Sequence, residues 1–322
     1  MSICGQCNGW IWLPLWALLL SFPSLNGSGQ SSKALTENRP DYTLHVPVNE
    51  ISLTFHAFDD KGAPLTHLTV PDLTLWDSGK RQNRIVMLRS YENLPIRAGF
   101  LFDTSASMSG YLNINRSILL MYASRLLRKG VDRAFVMQFE EEPLMRQNWT
   151  NNAANIAAGA AAIARRTDRL PLTALFDTLY TTCRDQWVRG DGDVTGNFIL
   201  LFTDGEDDAS HVYLSEAVDM CQRARTAIYA ITNMPKSPFS DGQKTLETLA
   251  HESGGRVFFH PRGAKIWQDL QMIEAEQRNE YRLVYKPSPF RADGDFHRIR
   301  LECSVKGARI MTRSGYYAFA RR

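Results

Sequence analysis

Cysteine is scarce in this 322-residue chain: five residues, scattered, which excludes a disulfide-built scaffold. No Cys/His cluster has zinc-ligand spacing, and the one Cys-x-x-Cys pair, Cys4 and Cys7, falls in the first few residues. Charge of one sign is not in excess either: 37 basic residues face 34 acidic ones, net +3. That balance is too even for the bulk electrostatics of a dedicated nucleic-acid binder. The seven histidines are scattered, with no His-Glu-x-x-His run and no Gly-x-Ser-x-Gly elbow, and glycines 190, 192 and 196 do not match a phosphate-binding spacing. At 44% hydrophobic and 22% charged, the composition also excludes disorder, collagen-like repeats and coiled coil.

Only one long apolar run is present, Trp10 to Phe22. It is short for a bilayer span and suits the apolar stretch of a signal peptide, with small and polar residues (Ser24, Asn26, Gly27, Ser28) following where cleavage would fall. No Lys or Arg precedes it, so an uncleaved anchor or a different start codon stands as the alternative. The expected layout is a signal peptide over 1–27, a linker over 28–40 and an exported product, secreted or periplasmic. Removal of the leader leaves Cys183, Cys221 and Cys303, an odd number, so at least one thiol is free or pairs elsewhere.

From Tyr42 to Leu88 apolar and polar residues alternate, with turns at Asp59–Gly62 and Ser78–Gly79, which predicts an antiparallel β segment over 41–94. The middle, 95–277, differs. Continuously apolar runs at 97–102, 134–139, 197–202, 227–232 and 256–259 alternate with amphipathic helical patterns at 111–129, 152–165, 173–188, 212–226, 243–253 and 263–277. Such alternation predicts an α/β, doubly wound, mostly parallel sheet covered on both faces. Strand patterning returns over 278–322, so the α/β domain is inserted between two β segments able to pack together. That last segment carries eleven basic and four acidic residues. A solvated strand face with charge complementarity to the rest of the chain is the expectation, and contact with a polyanion the alternative.

The chemistry concentrates in AGFLFDTSASMSG, residues 98–110. A buried strand ends directly in Asp103, with Ser105 and Ser107 at alternate positions and a helical pattern behind them. In parallel α/β sheets, ligands bind at the carboxyl ends of strands. Carboxylates and hydroxyls are hard donors suited to Mg2+ or Mn2+. A second apolar strand ends in Thr203-Asp204-Gly205, at the same edge of the sheet. Thr173 lies between them where a loop opens a helix, its hydroxyl free to act as ligand or N-cap. Singly these are turns and caps. In this order, each at a strand end or a helix start, they read as one metal centre: Asp103, Ser105, Ser107, Thr173 and Asp204.

This stretch resembles the von Willebrand factor type A domain, whose metal-ion-dependent adhesion site runs Asp-x-Ser-x-Ser, then Thr, then Asp. The likeness extends from about Ile96 to Leu270, and the flanks look like the related family described from acidobacteria. Ala106 and Leu172 stand where Gly is commoner in the family. The resemblance implies a divalent cation, held mainly by the hydroxyls and partly through water, with one position open to an acidic group of a protein partner. The chain is therefore expected to be a non-enzymatic, metal-dependent binding protein. A structural component of the cell envelope with a vestigial or stabilising metal is the alternative, and a hydrolase using His211 as base a distant third. Glu206, Asp207 and Asp208 border the site, to orient its ligands, to form a further cation site or simply as a solvated acidic loop, and Asp177 reads as a first-turn helix acid. The tripeptide Arg189-Gly190-Asp191 is too short a signal to carry an adhesion reading.

Overall fold

The computed structural model describes residues 50–165, 172–188, 194–237, 239–260 and 265–318. The expected leader and linker, the start of the first β segment and the Arg189-Gly190-Asp191 tripeptide lie outside them. Among the described residues no helix is long and apolar enough to cross a membrane.

The first β segment supplies β1 (Ile51–Phe58), β2 (Leu73–Asp77), β3 (Lys80–Gln82) and β4 (Ile85–Tyr91). Ser78 and Gly79 both take positive φ in the two-residue turn joining β2 to β3, the geometry that matches strand twist in a tight hairpin. The chain then enters the α/β region with β5 (Ile96–Asp103), α1 (Leu112–Arg125), β6 (Arg133–Phe139), β7 (Pro143–Thr150), α2 (Ala153–Ala161) and α3 (Leu175–Cys183). It continues through β8 (Gly196–Phe202), α4 (Leu214–Arg223), β9 (Thr226–Thr232), α5 (Asp241–Ser253), β10 (Val257–Phe259) and α6 (Ile266–Arg278). The last segment gives β11 (Glu280–Tyr285), β12 (Phe296–Cys303), β13 (Arg309–Thr312) and β14 (Gly315–Tyr317).

The six-stranded sheet runs β10-β9-β8-β5-β6-β7, and every neighbouring pair is parallel except β6–β7. Its central strands are apolar throughout because both faces are covered. Phe100, Phe102, Phe198 and Phe202 enter one core with α1 and α6, while Leu101, Ile199 and Leu201 enter the other with α3, α4 and α5. The antiparallel edge strand β7 has no counterpart in the sequence pattern. Its side chains are exposed or half-buried and it starts at Pro143, so the apolar run that marks a buried strand is missing.

The two β segments interleave. One sheet runs β13-β1-β11-β4 and the other β14-β12-β2-β3, each mixing strands from before and after the α/β region. They share one core of Leu53, Phe55, Leu75, Tyr281, Leu283, Tyr285 and Leu301. Asp77 on β2, buried in it, accepts hydrogen bonds from the Tyr285 hydroxyl (2.7 Å) and the Tyr316 hydroxyl (3.0 Å), joining the sheets through a polar contact. Burial first, and the Asp77 charge next, hold both phenols well above their ordinary pKa.

Two covalent or charged ties fix the α/β region. Cys183 and Cys221 are disulfide-bonded, linking α3 to α4, and Cys303 is free. Arg278, the last residue of α6, is buried against the buried Asp132. Its guanidinium reaches Asp132 Oδ1 (3.0 Å) and Oδ2 (2.7 Å), the Leu94 carbonyl (3.1 Å) and the Leu126 carbonyl (3.1 Å). Asp132 also accepts from the backbone N–H groups of Ile96 (2.9 Å) and Arg128 (2.7 Å).

Burial alone would raise the pKa of Asp132, but the bonds from Arg278 and the two backbone amides hold it below the usual carboxylate range. Its stabilising effect is therefore complete above about pH 4 and is lost as pH falls through the depressed value. Asp132→Asn is expected to cost about 3 kcal/mol at neutral pH, by taking away one of the two carboxylates that Arg278 bonds and leaving it only Glu274, on its Nε. The deficit against the parent should shrink below pH 4 in urea unfolding; a pH-independent deficit would contradict the electrostatic account. Replacing both Cys183 and Cys221 by Ser frees a loop closed over a separation of 38 residues. A loss of roughly 3–4 kcal/mol is expected from loop-closure entropy, checked by the same unfolding curves.

Candidate metal centre

At the carboxyl edge of the six-stranded sheet, β5 and β8 run in register from Ile96↔Gly196 to Phe102↔Phe202, so Asp103 and Thr203 leave the sheet side by side. Asp103 is fully buried. One of its carboxylate oxygens accepts from the Ser105 backbone N–H (2.8 Å), closing a tight Asx-type turn, and the other accepts from the Thr203 hydroxyl (2.6 Å). The turn brings the Ser105 and Ser107 hydroxyls within 3.2 Å of each other. Ser105 is buried and Ser107 exposed, so the cluster opens to solvent on one side.

Thr173 arrives from a different loop. The Ala174 N–H donates to the carbonyl of Glu140 at the end of β6 (2.8 Å), and Thr104, next to Asp103, donates its hydroxyl to the Glu140 carboxylate (2.9 Å). On the other side, the N–H groups of Asp208 and Ala209 donate to the Thr173 carbonyl (3.0 and 3.1 Å), and the Thr173 N–H donates to the Asp208 carboxylate (2.6 Å). Thr173 is thereby strapped between the loop after β6 and the loop after β8. Its hydroxyl does not cap α3: the N-cap is Ala174, and among the described residues the hydroxyl has no hydrogen-bond partner. Leu170 and Pro171, which precede it, lie outside the described residues.

Asp204 is half-buried, with one oxygen on the Glu206 N–H (3.2 Å). Gly205 is required here on two counts. Its φ is +90°, and a Cβ would lie 2.2 Å from the Gly242 carbonyl oxygen at the start of α5. The acidic residues beyond are bonding groups of the loop. Glu206 accepts from the Gly242 N–H (3.1 Å), Asp207 from the Ser210 hydroxyl (2.6 Å), and Ser210 in turn accepts from the Phe176 and Asp177 N–H groups at the head of α3 (3.0 Å each). Asp177, expected as a first-turn helix acid, clamps the same loop by accepting from the His211 and Val212 N–H groups (3.0 and 2.9 Å). The exposed His211 imidazole pairs with that carboxylate at 2.9 Å.

Electrostatics set the character of the cluster. Burial pushes the pKa of Asp103 up to about 6, against the lowering effect of its Thr203 and Ser105 hydrogen bonds, and the neighbouring Asp204 charge adds to the rise. A buried carboxylate beside a second acid, with three hydroxyls around them, is a set of hard oxygen donors lacking a positive charge. Among the described residues no group of three or more His, Cys, Asp or Glu forms a metal cluster, so any cation here relies on the hydroxyls. The donor set fits a hard divalent ion.

The five residues reach this edge from three loops. The architecture, a mostly parallel six-stranded sheet covered by helices on both faces, is the one that the sequence resemblance implies. No protein-family model matches the chain, and no curated protein matches it. Among solved structures, proximal thread matrix protein 1 from the mussel byssus overlaps 62% of this chain and about half of its own (50%), at 15% identity and a TM-score of 0.48, in a form described as having a zinc-occupied MIDAS motif. The conserved hypothetical protein BatB from Bacteroides thetaiotaomicron overlaps 55% of this chain and 97% of its own, at 14% identity and a TM-score of 0.43. An aerotolerance-related membrane protein from Bacteroides fragilis overlaps 56% and 98%, at 13% identity and 0.45. These overlaps say nothing of ligand or partner for this chain.

Sequence reasoning passed over Thr203, Thr104 and Glu140, the groups that hold Asp103 and Thr173 in place. A lone Thr or Glu at a strand end carries no spacing signal. Gly205→Ala is expected to destabilise the fold by about 1–3 kcal/mol, through positive φ and the clash with Gly242 together, and to displace Asp204. Urea unfolding and amide-proton exchange at the head of α5 check this; an unchanged midpoint would contradict the close approach.

Proposed function

We propose that this is an exported, non-enzymatic binding protein that recognises an acidic group of a protein partner through a divalent cation, Mg2+ or Mn2+, held by Asp103, Ser105, Ser107, Thr173 and Asp204. What supports the reading is the cluster of Asp103, Ser105 and Ser107, open to solvent through Ser107, with the Asp204 charge acting on Asp103 and Thr173 strapped by backbone bonds to the loops after β6 and β8. When bound, the cation supplies an electrophilic position for an external carboxylate. Asp103 and Asp204 balance its charge, while the neutral hydroxyls donate electrons without quenching it. Thr203 orients Asp103, and Asp208 orients Thr173, so the donors are held in place before a ligand arrives. The Cys183–Cys221 disulfide supports an oxidising compartment, in line with the leader-like N-terminus.

The test is thermal unfolding of the full chain with Mg2+, with Mn2+ and with excess chelator, beside Asp103→Ala and Ser105→Ala. At 100 times its dissociation constant, an ion adds about 2.7 kcal/mol to the parent, and the variants are expected to fold and show no such gain. Parent and variants shifting alike, or no shift at millimolar metal, would remove the proposal. Partner capture from the native host should likewise be abolished by chelator and restored by added metal.

A further inference from the structure

A cavity lies at the opposite edge of the six-stranded sheet. Arg225 follows the C-cap of α4 and immediately precedes β9, whose far end lies at the metal edge. The α4 terminus closes with the Ala224 N–H on the Met220 carbonyl (3.0 Å) and the Arg225 N–H on the Gln222 carbonyl (3.0 Å). Arg225 itself has φ +52°, the left-handed conformation that a helix end normally gives to glycine. An arginine kept where glycine is favoured is backbone strain, and such strain collects at functional positions.

The Arg225 side chain lines a cavity of about 300 Å3, at the lower bound of small-ligand sites. Arg282, on β11, lines it too; this guanidinium is buried, bonds the Glu280 carboxylate (2.6 Å) and stacks on Tyr91 at 5.1 Å. Met87 and Val284 give the cavity an apolar wall and Ser52 a hydroxyl. The acid in its lining, Glu50, and the neighbouring Glu280 are already engaged. Glu280 neutralises Arg282, and Glu50 pairs with Lys286 at 3.3 Å. Arg225 has no hydrogen-bond or ion-pair partner for its side chain among the described residues. Arg225 is exposed, and desolvation of its guanidinium, then the neighbouring Arg282 charge, lower its pKa against the raising effect of Glu280.

We propose that this cavity binds the carboxylate or phosphate head of a small anionic molecule, gripped by the Arg225 guanidinium with Arg282 behind it and the apolar wall against the ligand's body. The planar donor fork of arginine matches both head groups, and the nearby acid Glu280 spends its hydrogen bond on Arg282, which leaves the Arg225 fork open to an anion. The site is independent of the metal centre, so the test is run in excess chelator, where that centre contributes nothing.

Inorganic phosphate and acetate, the simplest carriers of the two heads, are titrated separately into the full chain at constant ionic strength, following thermal unfolding and heat of binding. At least one is expected to bind saturably and raise Tm by about 3 °C at tenfold excess over its dissociation constant. The probe that saturates identifies the head group. Arg225→Gly relieves the positive φ, so the variant is expected to melt no lower than the parent while binding the probe at least tenfold more weakly. Arg225→Gln, which keeps the strained backbone and side-chain bulk, should lose binding to the same extent. Equal shifts in parent and variants, or no saturable shift with either anion, would overturn the proposal.

Discussion

The buried pair of Arg278 and Asp132 is the constraint on which the rest of the molecule depends. It gathers the entry to β5, the exit of α1, the start of β6 and the end of α6 into one hydrogen-bonded cluster. Both ends of the inserted α/β domain meet there, since Leu94 leads into β5 and Arg278 leads out towards β11. Charge taken out of water is costly, and here the cost is offset by filling all the remaining acceptor positions of Asp132 with backbone and guanidinium donors. A cluster satisfied this fully tolerates little displacement, so the sheet emerges from a fixed base. The loops at its other end then start from defined positions.

Burial on both faces is what makes a strand legible in sequence. The runs around Phe100, Val136, Leu200 and Tyr229 are read correctly as a parallel sheet because most of their side chains enter one apolar core or the other. β7 meets water on much of its surface and carries no such run. The β segments read as strands from their alternation, but alternation does not say which strand pairs with which. β1 lies between β11 and β13, partners more than two hundred residues away, and nothing local encodes that. The disulfide has the same character: the three cysteines among the described residues allow three pairings, and only the packing of α3 on α4 selects Cys183 with Cys221.

The five candidate ligands are legible because a metal centre repeats a rule, oxygen-bearing side chains directly after a buried strand or before a helix. The groups that orient them follow no such rule. Thr203 is one residue from Asp204 and reads as part of a turn, yet its hydroxyl holds Asp103. Glu140 ends a strand like many exposed glutamates, yet it joins the Thr104 hydroxyl to the Ala174 amide. Their roles exist only once β5, β6 and β8 are neighbours. Arg225 is a sharper case: its significance rests on a backbone angle, which no residue pattern discloses.

The interleaved β sheets also have a consequence for the order in which the chain comes together. Ile51 pairs with Tyr285, and Phe55 with both Tyr281 and Thr312. As the polypeptide emerges from its amino end, β1 waits without an edge to bond until the entire intervening domain has appeared. The α/β domain has local βα contacts and can close first, bringing Glu280 back beside the waiting strand. Once it has closed, the loop separating β1 from β11 is short in space rather than long in sequence, and most of the entropy of joining them has already been spent. The inserted domain thus acts as a template for the module that surrounds it, and the final strands complete the sandwich last.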